Sequence, residues 1–170
     1  MKLKVLKYKS LDSTNNKAIK LIKSNHLKPT IIFSNIQKKG RGRYGRKWIS
    51  IKGNLFLSIY FKINNSQSLK SLTKKNCLIV KKSLSKFISQ KITIKFPNDL
   101  LIKNQKLSGI LQETLVHQNH RFIIIGIGVN LVKSPKILKY PTTYLFKFTK
   151  KKIGINLIYN VIKKNFEKNF

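Results

Sequence analysis

A chain of 170 residues, 41% of them hydrophobic and one of them cysteine, is long enough to bury a core without disulfides or metals. Cys77 alone excludes an intramolecular disulfide and points to a reducing, cytosolic setting, and no apolar run reaches the ~20 residues of a membrane span. The formal charge of +33 reads as compositional drift rather than a dedicated nucleic-acid surface: 33 lysines, 24 isoleucines and 16 asparagines are spread from end to end, as A+T-biased coding would give. Attraction of an acidic protein partner is its one expected consequence.

Lys2 to Lys9 alternates apolar and basic residues and reads as an edge strand, with no continuous apolar core of a signal peptide. Leu11-Asp12-Ser13-Thr14-Asn15-Asn16 offers more helix caps than the short amphipathic helix carrying Ala18, Ile19 and Ile22 can use. The surplus is either redundancy or a set of polar groups facing a ligand at a helix N-terminus. Pro29 breaks the chain, Thr30 to Ser34 is a strand, and Gln37, which both donates and accepts, suits a urea- or amide-like group.

Asn54 to Ile63 is a strand with Leu55, Leu57, Ile59 and Phe61 on one face. Leu69, Leu72, Ile79, Val80, Leu84, Phe87 and Ile88 follow helical spacing, which predicts a long helix with an interruption near Asn76 and Cys77 as core. Lys91 to Phe96 is a strand stopped by Pro97-Asn98-Asp99. Leu100 to Ile102 and Leu107 to Leu111 form a hairpin turning at Asn104-Gln105, with Lys106, Ser108 and Ile110 on one face and Leu107, Gly109 and Leu111 on the other. In the strand Arg121 to Asn130, Ile123, Ile125, Ile127 and Val129 make a packed face, whereas Gly126, Gly128 and Asn130 leave a bare strip that admits a flat ligand. Pro135 to Lys152 is loop and strand-like. Asn156 caps a final amphipathic helix, and His26, His117 and His120 read as surface residues without metal-ligand spacing.

The most distinctive stretch is Gly40-Arg41-Gly42-Arg43-Tyr44-Gly45-Arg46-Lys47-Trp48, which holds three of only four arginines. Arginine retained in a lysine-rich chain implies a need for the planar guanidinium fork that grips phosphate or carboxylate, and the glycines would let the backbone bend through positive φ. Gly40 to Gly45 satisfies G-x-G-x-x-G, but no helix follows and no acid occurs between Asp12 and Asp99, so this is no dinucleotide fingerprint. Nor is it a P-loop, since Arg46-Lys47 follows the last glycine. Of the four acids, Asp12, Asp99 and Glu113 lie within the distinctive segments.

Ser13-Thr14-Asn15, Gln37 with the loop through Trp48, Lys95-Phe96-Pro97-Asn98-Asp99, Lys106-Leu107-Ser108-Gly109-Ile110-Leu111 with Glu113, and Gly126-Ile127-Gly128-Val129-Asn130 together resemble the signatures of biotin protein ligases, in that family's order. The resemblance implies a single α+β catalytic domain over residues 1–170, a mixed sheet with helices related to class II aminoacyl-tRNA synthetases. It implies ATP and Mg²⁺, formation of biotinyl-5′-AMP, and transfer of biotin to a lysine of the biotin carboxyl carrier protein of acetyl-CoA carboxylase. By that likeness Ser13, Thr14, Asn15, Gln37, Gly42, Gly109, Gly126 and Gly128 would bind biotin, with Arg41, Arg43 and Lys106 acting on its carboxylate and the α-phosphate. Arg46, Trp48, Asn98, Asp99 and Asn130 would join Arg41 and Arg43 around ATP, Asp99 also as a candidate Mg²⁺ ligand.

The sequence departs from the family at Phe96, where tryptophan is usual, and it ends at Phe170 without the small C-terminal β domain. It also lacks an N-terminal helix-turn-helix, so no specific DNA binding is expected. A homodimer fits the strand-rich core with exposed edges. Two other readings remain: a lipoate or octanoate ligase on the same scaffold, and a degenerate, non-catalytic ligand- or nucleic-acid-binding protein.

Overall fold

The apolar runs assemble into one mixed sheet in a computed structural model that describes residues 1–150 and 153–170. Seven strands are β1 (Lys4–Tyr8), β2 (Thr30–Ser34), β3 (Leu55–Ile63), β4 (Ile92–Lys95), β5 (Asp99–Ile102), β6 (Gln105–His117) and β7 (His120–Val129), in the spatial order β1-β2-β3-β7-β6-β5-β4. Of these pairings β1 with β2 is parallel and the others are antiparallel. Helix α1 (Thr14–Lys23) connects the parallel pair, as a crossover must.

Strand periodicity sorts the side chains into two layers. Leu55, Leu57, Ile59 and Phe61 of β3 and Ile123, Ile125, Ile127 and Val129 of β7 pack with α2 (Leu69–Leu84) and α3 (Ile155–Asn169) in the larger core. On the opposite face Ile32, Tyr60, Phe122 and Ile124 lie with Ala18 and Ile22 of α1 in a smaller cluster. Continuing along β7 on that same face come Gly126 and Gly128. The helix thus covers one end of the face and leaves the other to polar groups.

Several expectations shift. The interruption near Asn76 does not occur: Asn76 is fully buried within α2, where its Nδ2 donates to Gln112 Oε1 at 2.8 Å and removes the reason for a break. Phe87 and Ile88 lie beyond that helix but still pack against the core. Cys77 is buried, its thiol pushed up to about 11 by burial and then by Asp99, as a core cysteine should be.

The hairpin turn is one residue earlier than expected, at Lys103-Asn104, both with positive φ, as a two-residue hairpin of right-handed twist requires. A second such turn, Gln118-Asn119, joins β6 to β7, so β6 runs past Glu113 to His117. Gly154, not Asn156, precedes α3, without a side-chain cap. Residues 151 and 152 of the stretch read as loop lie outside the described part, and 145–148 form a 3-10 turn.

Glu167 on α3 clasps the residues that lead into β1. Its Oε1 accepts from Leu3 N at 2.9 Å and from Lys163 Nζ at 2.7 Å, while its carbonyl accepts from the Met1 ammonium at 2.9 Å. Burial opposes the charge, yet these donors and cations outweigh it and hold the carboxyl below its ordinary 4.5. A carboxyl lowered in the folded state stabilises above its unfolded value and loses that contribution as pH falls through the folded one. Glu167→Gln should therefore lower the melting temperature at neutral pH and bring the two proteins together on acidification below 4.5, measured by thermal melts across pH.

Candidate functional site

Separate pieces of chain converge beyond the end of α1 on the polar face of the sheet: the N-terminus of α1, the arginine loop, Leu57 of β3, Asn98-Asp99 at the start of β5, the facing ends of β6 and β7, and Tyr140. They line a cleft of about 120 Å³.

The surplus caps are divided between structure and cleft. Ser13 is the cap, accepting from Asn16 N at 3.4 Å, and Thr14 and Asn15, both buried, face other partners. Gln37 Oε1 accepts from Thr14 N at 2.8 Å and lies 3.1 Å from Thr14 Oγ1. Ser58, in the middle of β3, contacts Thr14 Oγ1 at 2.7 Å and Asn15 Oδ1 at 2.5 Å. A serine has one hydroxyl proton and an amide oxygen can only accept, so that proton goes to Asn15, while the Thr14 hydroxyl lies between Ser58 Oγ and Gln37 Oε1. Asn15 Nδ2 then donates to Glu113 Oε2 at 2.6 Å.

The arginine loop is itself a small hairpin. Trp48 N donates to Gly40 O at 2.9 Å, Gly42 N donates to Arg46 O at 2.7 Å, and Arg41 bridges Lys47. Its tip turns through Tyr44 (φ 55°) and Gly45 (φ 70°); Gly42 is extended at −120°, so only one of the three glycines serves the expected positive φ. The hairpin is tied down at three points. Arg41 Nη2 meets Glu113 Oε2 at 2.5 Å, Arg43 Nη1 donates to Asn98 Oδ1 at 3.3 Å, and the Trp48 ring lies on the sheet. Arg46 also lines the cleft, exposed and with no side-chain partner among the described residues.

Trp48 sits where it does because two glycines admit its ring, and a third admits the Asn15 amide beside it. A Cβ at Gly128 would lie 2.4 Å from Trp48 Cε2, one at Gly109 2.8 Å from Cζ3, and one at Gly126 2.4 Å from Asn15 Oδ1. The strip expected to be bare is therefore overlain by the indole and by the Asn15 amide. The expected alternation on β6 also fails at one place: a register shift against Leu100 and Leu101 inserts Leu107 as an extra residue. Leu107 enters the core, and Lys106, expected opposite Gly109, lines the cleft beside it.

Lys106 Nζ rests 2.8 Å from Asp99 Oδ1, 5.7 Å from the Trp48 ring and 5.2 Å from the Tyr140 ring. Asp99 Oδ1 has no aligned hydrogen-bond donor, so this is a contact of charges that an incoming anion can share. Asn98 Nδ2 donates to Ile110 O at 3.1 Å, which fixes its oxygen toward Arg43. Asn130 lies outside the main cleft: it is buried, and its Nδ2 donates to Thr143 O at 3.1 Å. It secures the end of β7 to the segment carrying Tyr140.

Ser58, Tyr140 and the partnership of Glu113 with Arg41 were not anticipated from sequence. A serine inside an apolar strand is itself a signal, since a buried hydroxyl needs a partner, and the scarcity of acids marked Glu113. Tyr140 carries no local signal.

Residues 8–130 match the model of the biotin/lipoate A/B protein ligase family. The chain belongs to that family. It is similar to the bifunctional ligase/repressor BirA of Bacillus subtilis, 33% identical over 128 residues, 74% of this chain and 39% of the relative. A second relative, the biotin--[acetyl-CoA-carboxylase] ligase of Mycobacterium tuberculosis, is 29% identical over 112 residues, 62% of this chain and 41% of the relative. The chain thus spans less than half the length of these two relatives. The biotin protein ligase of Aquifex aeolicus solved with biotin and ATP superposes with a TM-score of 0.83 at 29% identity, covering 97% of this chain and 69% of that one. The mixed sheet is the class II synthetase-like arrangement of this family. Among the described residues no helix is long and apolar enough to cross a membrane.

The glycine strip makes a direct prediction. Gly128→Ala should unseat the chain's only tryptophan, shifting its emission to longer wavelength and increasing acrylamide quenching, while far-ultraviolet circular dichroism stays that of the parent.

Proposed function

We propose that this chain catalyses ATP-dependent attachment of biotin to a lysine of a biotin carboxyl carrier domain, such as that of acetyl-CoA carboxylase. The observation that carries the proposal is the division of the cleft. Amide and hydroxyl groups of Thr14, Asn15 and Gln37 gather at one side, while Arg41, Arg43, Arg46 and Lys106 supply cations around the rest. The first set suits a cyclic urea, which both donates and accepts; a dithiolane ring offers those amides and hydroxyls no hydrogen bond in return. The second set suits a carboxylate brought against a triphosphate.

In the first step a carboxylate oxygen of biotin attacks the α-phosphorus of ATP, the new P–O bond forms, and pyrophosphate leaves. Two anions must meet, so the chain's contribution is positioning and preorganised positive charge. Lys106 and the loop arginines lie within one cleft for this purpose, and the hairpin can exclude water from the mixed anhydride. In the second step a lysine amine of the carrier attacks the acyl carbon and AMP leaves. Mg²⁺, when bound with ATP, would neutralise phosphate charge. Asp99 offers one carboxylate for it, which fits a metal whose other ligands are phosphates and water.

Purified chain should release pyrophosphate only with both biotin and ATP, and should then modify an added carrier domain. Biotin should displace lipoate in competition, and the reverse preference would favour the lipoate-ligase reading that the family also contains. Arg43→Lys should reduce pyrophosphate release roughly 100-fold, the scale for losing one preorganised charged donor; an unchanged rate would remove Arg43 from the chemistry.

A further inference from the structure

We infer that Glu113 is a positioning residue, the counter-ion that seats the arginine hairpin on the sheet and links that seat to the amide-rich side of the cleft. Glu113 belongs to none of the roles assigned above. It projects from β6 toward the cleft, and its Oε2 takes two donors from different parts of the chain: Arg41 Nη2 of the hairpin, and Asn15 Nδ2 of α1 at 2.6 Å. Of the hairpin's three attachments this is the one that joins opposite charges; the others are the Arg43 hydrogen bond to Asn98 and the packing of Trp48. The chain has four acids, and Glu113 is one of two that pair with a cation of the cleft.

The chain of donors gives the carboxylate its second role. Ser58, in contact with Thr14 Oγ1, donates to Asn15, and Asn15 donates to Glu113, where Arg41 closes the sequence from the far side. Asn15 cannot turn its amide over without setting its oxygen against the carboxylate and its NH₂ against Ser58. Glu113 therefore fixes which edge of the Asn15 amide is presented at Gly126, and Asn15 in turn holds the carboxylate where Arg41 reaches it. A ligand that orders Thr14 and Asn15 also orders the seat of the hairpin.

The seat predicts a particular kinetic signature. Without its counter-ion the hairpin spends less time seated, and ligand must seat it from binding energy, so apparent affinity falls by the seated fraction while the bound complex is unchanged. This part rests on the ligase reading; the seat itself does not.

The test uses Glu113→Gln, which keeps the shape and an acceptor for Asn15 but removes the charge. Acrylamide quenching of Trp48, the only tryptophan, reports the hairpin with no substrate present. The variant should be quenched more than the parent. Raising salt, which screens this partly exposed pair, should move the parent toward the variant and leave the variant nearly unmoved. Equal quenching of the two folded proteins, or no response of the parent to salt, would overturn the inference whatever the protein catalyses. In pyrophosphate release the variant should show a raised KM for biotin with kcat near that of the parent. A fallen kcat at unchanged KM would place Glu113 in the chemistry and overturn the positioning role. Absence of release from both proteins would sink the ligase reading alone, because the quenching comparison still decides the seat.

Discussion

Direct contact between side chains and bare sheet backbone is the constraint from which the site follows. β6 and β7 pair so that Gly109 lies opposite Gly128, with Gly126 two residues further along the same face. A methyl group at any of the three would strike Trp48 or Asn15. The glycines thus let an aromatic ring from the hairpin and an amide from α1 lie on the same strip. Other polar groups of the cleft are arranged around those two. Thr14 and Ser58 are ordered around Asn15, and Lys106 stands over the ring of Trp48.

Electrostatics is arranged on that platform by scarcity. In a chain with charge +33, a carboxylate has cations all around it, and general attraction gives no geometry. Here Glu113 and Asp99 are each set against a single cation that lines the cleft, Arg41 and Lys106. The acids orient those two cations rather than neutralise a surface. This agrees with the use of arginine in the hairpin, whose planar fork has a preferred direction, where lysine would serve only as a point charge.

The sequence made much of this legible because the informative residues break a strong background. Three arginines among so many lysines, glycines recurring every second residue of an isoleucine strand, and a run of caps longer than one helix needs are all departures from local pattern. Legibility ended where placement depends on distant backbone. The bulge that puts Leu107 into the core and brings Lys106 beside Gly109 is a property of pairing with β5, and nothing in Lys106–Leu111 announces it. Tyr140 reaches the cleft because Lys106 N donates to Pro141 O and Thr143 N to Lys106 O, a short parallel pairing between segments far apart in sequence. Asn130, at the end of the glycine-bearing strand, gives its amide to the backbone of Thr143, in the segment that holds Tyr140, and nothing in Gly126–Asn130 announces that partner.

The internal hydrogen bonds of the arginine hairpin bear on what closing over a ligand would cost. A loop that condenses from coil loses backbone freedom at every residue, about 1–2 kcal/mol each. Here Gly40 and Trp48 are joined across the base and Gly42 and Arg46 nearer the tip, so the stretch between them keeps its form whether or not it touches the sheet. Lys38 and Lys39, just before it, are fixed by backbone donation to Leu11 and Asp12. Movement is thereby confined to the few torsions between those anchors and the base. The segment can swing as a stiff flap, and most of the entropy of ordering it has already been lost on folding.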